Sequence, residues 1–177
     1  MWLSLIGFMG SGKSTVARLL GEHALLDVQD LDAVIETDAG RTVADIFAAG
    51  GAAAFRDLEL AALQHLPTAG DIVLACGGGV VERPAACELL RSRGAVVWLD
   101  APWEILRQRL AQSDTTERPL LGRGWADAAD LLRARLPLYA RTAHFRFRSD
   151  LAEPRELVSR VLAAKLYWER RGGRGES

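Results

Sequence analysis

Short apolar runs alternate with longer segments of helical periodicity along the whole chain. The runs are continuously apolar or β-branched, which is typical of strands that are covered on both faces. We predict strands over Trp2–Ile6, Leu25–Val28, Ile72–Ala75, Ala95–Leu99 and His144–Arg148. Helices are predicted over Lys13–His23, Leu31–Thr37, Val43–Phe47, Ala52–Leu66, Arg83–Ser92, Trp103–Ala111, Ala126–Tyr139 and Pro154–Trp168. This alternation predicts an α/β protein of three layers, in which a five-stranded parallel sheet carries helices on both faces.

Three features of the pattern depart from a simple alternation. The last predicted strand has arginines at every second position, so we expect it at an edge of the sheet. Residues 31–66 contain three helical patterns between two strands, more than a crossover needs, and residues 112–124 are polar without periodicity. We interpret the first as a substrate-binding insertion and the second as a mobile lid within a single domain, residues 1–170. The glycine-rich, charged tail, residues 171–177, is expected to be disordered.

A phosphate-binding motif follows the first predicted strand. The segment from Gly7 to Ser14 fills every position of the pattern G-x-x-x-x-G-K-[ST] between a strand and a helix. Lys13 is one of only two lysines among 22 basic residues, which favours a role for its compact charge. A glycine-rich turn that binds nothing is the alternative. We expect a nucleoside triphosphate to bind at Gly10, Ser11, Gly12, Lys13, Ser14 and Thr15, with the Ser14 hydroxyl on Mg²⁺.

Composition limits the classes of function. The chain has 177 residues and a formal net charge of −1, which argues against an electrostatic nucleic-acid binder. No run approaches the roughly 18 apolar residues of a membrane span. Its two cysteines, Cys76 and Cys87, are too few for a disulfide framework. We therefore expect a cytoplasmic protein that acts as a monomer on small molecules.

Two aspartates follow the second predicted strand. Asp30 and Asp32 would lie at the carboxyl end of that strand, beside the phosphate loop. Asp30 could hold Mg²⁺ directly or through water, and Asp32 could face an acceptor hydroxyl. The alternative is a helix cap at Asp30 with a solvated Asp32.

Three further motifs carry charge or glycine. Arg56 and Glu59 are spaced to pair on a helix, and a surface ion pair is the simpler interpretation. Gly77, Gly78 and Gly79 directly follow a predicted strand and would let the main chain approach a ligand closely. Arg118 lies in the expected lid and Arg135 near a helix end; each taken alone would be a solvated surface charge.

Taken in order along the chain, these motifs resemble those of the shikimate kinases. The matching segments are the phosphate loop at 7–15, D-x-D at 30–32, T-V-A-D-I-F at 42–47, F-R-x-x-E at 55–59, G-G-G at 77–79, R-P-L-L at 118–121 and R-x-P-L-Y at 135–139. The resemblance covers residues 7 to about 162 and implies a P-loop kinase fold. It implies transfer of the γ-phosphoryl of ATP to the 3-hydroxyl of shikimate, a step on the route to chorismate and the aromatic amino acids.

The resemblance also implies roles for individual residues. Asp32 would bind shikimate hydroxyls as base or orienter, while Arg56 and Arg135 would bind the carboxylate with help from the Gly78 main chain. Arg118 would close with the lid onto the phosphates, so that Lys13, Asp32 and Arg118 form the catalytic set. Arg109 would stack on adenine, the loop before Pro154 would line the other side of the ring, and Asp30 would hold the water shell of Mg²⁺.

One departure from the family pattern lies before Arg56. The family usually has Gly-Glu about three residues before Phe-Arg, whereas Gly51 is followed here by three alanines. We expect the missing glutamate to loosen the support of Arg56. Two other functions stay open: a P-loop kinase for another hydroxy acid such as gluconate, and a metabolite or nucleotide sensor without turnover.

Overall fold

The sheet has five strands, and every strand pair in it is parallel. The computed structural model describes residues 1–112 and 124–172. The strands are β1 (Trp2–Ile6), β2 (Asp27–Asp30), β3 (Ile72–Ala75), β4 (Gly94–Asp100) and β5 (Phe145–Arg148). Their order is β2-β3-β1-β4-β5, so the chain enters at the centre of the sheet and β5 lies at an edge, as its alternating arginines predict.

Helices cover both faces of this sheet. They are α1 (Lys13–Ala24), α2 (Leu31–Ala39), α3 (Val43–His65), α4 (Pro84–Arg93), α5 (Trp103–Gln112), α6 (Trp125–Thr142) and α7 (Pro154–Arg170), with a short 3₁₀ helix at Val80–Glu82. Alternate residues of β1 belong to two separate cores: Trp2 and Ile6 pack with α2 to α6, whereas Leu3 and Leu5 pack with α1 and α7. The predicted three-layer α/β architecture is therefore confirmed.

The second strand lies two residues later than predicted. Leu25 has a left-handed backbone with φ of 52° at the end of α1, and its side chain is 91% exposed. Leu25 is apolar like a strand residue, but it lies at the end of α1 and not in a strand. Strand pairing instead runs from Asp27 to Asp30, which makes Asp30 the last strand residue and also the N-cap of α2.

The insertion contains one long helix with a break. The two helices predicted at Val43–Phe47 and Ala52–Leu66 join in α3, where Gly51 has φ of 67° and ψ of −168°. A positive φ of this kind is easily adopted by glycine and costly for other residues, so Gly51 allows the chain to change direction there. The predicted break between the two helices is therefore present, as a kink at Gly51 within α3.

The lid predicted at 112–124 and the tail predicted at 171–177 fall largely outside the described residues. Across residues 1–112 and 124–172, no helix combines the length and the apolarity that a membrane crossing requires.

Candidate active site

A cavity of about 920 Å³ opens at the carboxyl ends of β1, β2 and β3. These strands are adjacent in the sheet, so the segments at their carboxyl ends lie close together. They are the phosphate loop after β1, Asp30 at the end of β2 with Asp32 in the first turn of α2, and the triple glycine after β3. Helices α3, α5 and α6 supply arginines from the side. A crevice at this end of a parallel sheet is where such folds bind ligands.

The phosphate loop has the backbone geometry that its sequence predicts. Gly10 and Gly12 have φ of 77° and 94°, and Gly12 caps α1 without a side-chain hydrogen bond. The first in-helix bond is donated by the Val16 N–H to Gly12 O at 2.9 Å, and the residues between them line the cavity. The early N–H groups of α1 and its positive dipole end therefore face a space that suits an anion.

Lys13 folds over the same loop. Its Nζ donates to Gly7 O at 2.9 Å and to Phe8 O at 3.0 Å. The ammonium group therefore lies close to the loop that would bind the phosphates.

Asp30 and Asp32 have different environments. Asp30 Oδ1 accepts a hydrogen bond from the Asp32 N–H at 3.0 Å, so the predicted capping alternative is correct for Asp30. Asp32 is not solvated as that alternative assumed, because its Oδ1 is buried and has no hydrogen-bond partner among the described residues. Burial raises the pKa of Asp32, and the charge of Asp30 adds to this, against opposing effects of Lys13 and Arg56.

Arg56 and Glu59 form a buried ion pair, so the surface-pair interpretation is wrong. Arg56 is 6% exposed and Glu59 is 1% exposed, and Arg56 Nη1 donates to Glu59 Oε2. Burial raises the pKa of Glu59 to about 7, even though Arg56 opposes the shift. Charged side chains are almost never fully buried unless they are paired, so each of these two groups depends on the other.

Arg135 is likewise buried, at 3% exposure, so it is not a solvated charge. Its Nε donates to Glu82 Oε1 at 2.8 Å, and the other oxygen of Glu82 accepts from Arg56 Nε at 2.8 Å. Arg56 is thus held by two carboxylates, from Glu59 and Glu82, and the looser support expected from the alanines after Gly51 stays a prediction.

Close approach of neighbouring side chains, rather than an unusual dihedral angle, explains glycine at positions 77 and 79, whereas a methyl group on Gly78 would make only ordinary contacts. A methyl group built on Gly77 would lie 2.7 Å from Glu59 Oε1 and 2.9 Å from Asp32 Oδ1. One on Gly79 would collide with Arg56 Nη2 and lie 2.8 Å from Arg135 Nη2. Gly78 lies between them, and its carbonyl accepts a hydrogen bond from the Tyr139 hydroxyl. Side chains of both signs therefore pack directly against this main chain.

Arg109 lines the same cavity beside the phosphate loop. Its Nη2 donates to Ser149 O at 2.8 Å, and its Nη1 donates to Ser149 Oγ at 3.1 Å and to Gly10 O at 3.3 Å. It thus ties the phosphate loop to the segment before α7, residues 149–153, which also lines the cavity. Arg109 and this segment therefore face the same space, and the stacking of Arg109 on adenine stays a prediction.

The structure brings the predicted residues of the described ranges into one cavity. Those residues are Gly10, Ser11, Gly12, Lys13, Ser14, Thr15, Asp30, Asp32, Arg56, Gly77, Gly78, Gly79, Arg109 and Arg135. Arg118 lies outside the described residues. Sequence reasoning missed Glu82 and Ser149, because each acts through partners tens of residues away and neither has a local spacing signal.

A phosphate loop that shares its cavity with a buried arginine pair places the chain among the P-loop kinases of small molecules. A profile of the family described as Shikimate kinase matches residues 9–165. The chain is 42% identical to a shikimate kinase of Symbiobacterium thermophilum over 99% of this chain and 100% of the relative. It belongs to the shikimate kinase family.

Solved structures of two kinases share the fold of this chain, and one of them also shares much of its sequence. The shikimate kinase of Acinetobacter baumannii in complex with shikimate superimposes with a TM-score of 0.86, at 35% identity over 94% of this chain and 93% of that one. A gluconokinase of Sinorhizobium meliloti covers 95% of this chain and 93% of its own length with a TM-score of 0.57 and 18% identity, a likeness of fold alone.

Proposed function

We propose that this protein transfers the γ-phosphoryl group of ATP to the 3-hydroxyl of shikimate, giving shikimate 3-phosphate and ADP. The observation that carries the proposal is the convergence of Arg56 and Arg135 on Gly79, in the same cavity as the phosphate loop. One end of the cavity suits a polyphosphate and the other suits a carboxylate. A small hydroxy acid between them would present a hydroxyl to the terminal phosphate.

On the nucleotide side, residues 10–15 would bind the phosphates through main-chain N–H groups and the Lys13 ammonium. The Lys13 ammonium donates to two loop carbonyls, which positions it beside the loop. Arg109 and the segment 149–153 would enclose the adenine. Arg118 would add positive charge to the transferred group when the lid closes and excludes water.

The donor set fits Mg²⁺, which this class of reaction uses. The Ser14 hydroxyl and the Asp30 carboxylate line one cavity, and Mg²⁺ is typically held by one or two such oxygens together with phosphates and water. Ser14 would bind the ion directly and Asp30 through water. When bound, the ion would neutralise charge that develops on the phosphate oxygens.

On the acceptor side, Arg56 and Arg135 would bind the shikimate carboxylate, and residues 77–79 would let the substrate lie against the main chain. Asp32 lines the same cavity and would accept a hydrogen bond from a shikimate hydroxyl. Its raised pKa makes it a better proton acceptor than an ordinary carboxylate, which suits a base or orienter of the 3-hydroxyl.

The proposal extends to the organisation of the chain. Residues 1–170 would form one kinase domain, in which the insertion 31–66 contributes acceptor-binding residues and the segment 112–124 is the lid. The enzyme would work in the cytoplasm as a monomer, without nucleic acid or membrane partners, on the route to chorismate and the aromatic amino acids.

A coupled assay of ADP release tests the activity. We expect ADP release with Mg²⁺ and shikimate, and little of it when shikimate is omitted or replaced by gluconate. Equal ADP release with and without shikimate would contradict the proposal. Faster turnover of gluconate would favour the other hydroxy-acid kinase, and tight shikimate binding without turnover would favour the sensor.

A further inference from the structure

Glu82 is a single carboxylate shared by two buried arginines. It is the last residue of the 3₁₀ helix that follows the triple glycine. Its Oε2 accepts from Arg56 Nε and its Oε1 accepts from Arg135 Nε, each at 2.8 Å. The two arginines come from α3 and α6, so Glu82 joins two helices that are distant in sequence.

Both arginines donate to Glu82 from the Nε atom, while one terminal nitrogen of each, Nη2, lies beside Gly79. Arg56 Nη2 and Arg135 Nη2 both lie beside Gly79, where even one methyl group would not fit. Two guanidinium groups at this separation repel each other in a buried site. A carboxylate on their Nε atoms offsets that repulsion and leaves the Nη2 atoms directed to the same place.

Arg135 depends on Glu82 more than Arg56 does. Arg56 is also paired with Glu59, which is itself buried on α3. Among the ion pairs formed by residues 1–112 and 124–172, the one that involves Arg135 is with Glu82. The Arg135 guanidinium also lies 5.9 Å from the centre of the Phe8 ring, but a ring face fixes orientation less strictly than a hydrogen-bonded carboxylate.

Glu82 has the properties that this arrangement needs. Its side chain is 30% exposed, so it reaches the arginines from the solvent side rather than from within the cavity. Burial opposes its ionisation, but the hydrogen bonds and charges of Arg135 and Arg56 outweigh that effect and hold its pKa below the usual value. Glu82 therefore carries its charge at neutral pH.

We propose that Glu82 is a positioning residue, which holds Arg56 and Arg135 as a pair so that their outer nitrogens bind the carboxylate of the acceptor together. This rests on the proposed function, because shikimate is the acceptor whose carboxylate the pair would bind. Glu82 itself would not touch the substrate. Its effect would pass through the two arginines and would appear in acceptor affinity.

The test compares Glu82→Gln with Glu88→Gln. Glu88 is exposed on α4, so its substitution changes the net charge equally without touching the arginines. In Glu82→Gln we expect the shikimate KM to rise at least about 10-fold, with kcat at saturating shikimate within about 3-fold of wild type. The dissociation constant for ADP should not change, which also shows that the variant is folded. Glu88→Gln should behave as wild type.

Two further variants separate positioning from other roles. Glu82→Asp keeps the charge but is one methylene too short to reach both Nε atoms, so its KM should also rise. In an Arg135→Ala background, Glu82→Gln should change KM by less than about 3-fold, because only Arg56 then remains to be positioned.

The outcomes distinguish this inference from the proposed function. Wild-type protein that neither binds nor phosphorylates shikimate would contradict the proposed function. Active wild type with an unchanged or lower shikimate KM in Glu82→Gln would overturn the role of Glu82 alone. A wild-type shikimate KM in Glu82→Asp would also overturn the role of Glu82. So would an increase in KM on Glu82→Gln that is as large in the Arg135→Ala background as in wild type.

Discussion

Asp32 and Glu59 bring two carboxylate oxygens to the same side of Gly77. A methyl group built on that glycine would lie 2.9 Å from Asp32 Oδ1 and 2.7 Å from Glu59 Oε1. Both oxygens are buried, and neither has a hydrogen-bond partner among the described residues. Gly77 and Asp32 line the cavity, and we propose that the acceptor hydroxyls bind against this part of its wall.

Gly77→Ala should therefore impair the acceptor side selectively. The added methyl group would push Asp32 and Glu59 away from their positions, and small displacements of positioning groups are costly to catalysis. We expect kcat/KM for shikimate to fall about 10- to 100-fold, while ADP binding, measured by calorimetry, stays unchanged. An equal loss of ADP affinity would show that the substitution disturbs the whole cavity.

The two lysines of the chain provide a matched pair. Lys13→Ala should lower kcat/KM by at least about 10²–10³-fold, because a positive charge beside the transferred phosphoryl is lost. Lys165 is paired with Asp71 and Glu169 at the other end of the sheet. Lys165→Ala should lower the melting temperature but keep kcat near wild type. Comparable activity losses in both variants would point to instability instead of catalysis.

Arg135 and Arg133 are a second matched pair, two residues apart on α6. Arg135→Ala removes one of the two arginines that we place at the shikimate carboxylate, at a cost of roughly 2–4 kcal/mol, so the shikimate KM should rise tens to hundreds of fold. Arg133 is exposed and pairs with Asp130, and Arg133→Ala should have little effect. Steady-state kinetics at saturating ATP distinguish them. A rise only in the ATP KM would mean that Arg135 serves the nucleotide.

Glu59 predicts a particular dependence of stability on pH. Its pKa is about 7 in the folded protein and near 4.5 when unfolded, so the folded state binds the extra proton between these values. The contribution of Glu59 to stability therefore falls as pH rises from about 4.5 to 7. Glu59→Gln cannot titrate, so its free energy of unfolding should improve relative to wild type over that interval.

Denaturant unfolding of both proteins at pH 5, 6 and 8 measures this difference. Any difference in stability between the new amide of Glu59→Gln and the protonated Glu59 carboxyl adds an offset that does not change with pH. A difference between the two proteins that does not vary with pH would contradict the raised pKa of Glu59.

The sequence was sufficient for the features that local pattern encodes. The phosphate loop, the parallel α/β order and the edge position of β5 follow from spacing and periodicity. The position of β2 does not, because the apolar Leu25 ends a helix while the polar run from Asp27 to Asp30 pairs with β3.

The contacts of the site between residues that are distant in sequence could not be predicted from the sequence. Glu82 meets Arg56 and Arg135 from 26 and 53 residues away, and nothing in its own neighbourhood marks it. The charge pattern also suggested that Arg56 and Arg135 could be surface residues. Their burial is decided by helix packing around the triple glycine, which single-sequence spacing does not express.

The central claim is that this protein phosphorylates the 3-hydroxyl of shikimate. The most direct measurement is nuclear magnetic resonance of the product formed from ATP, Mg²⁺ and shikimate, with the carbon–phosphorus and proton–phosphorus couplings assigned to ring positions. We predict one phosphate ester, on the 3-oxygen, formed in equal amount to ADP. A phosphate on another hydroxyl, or ADP formed without any shikimate ester, would contradict the account.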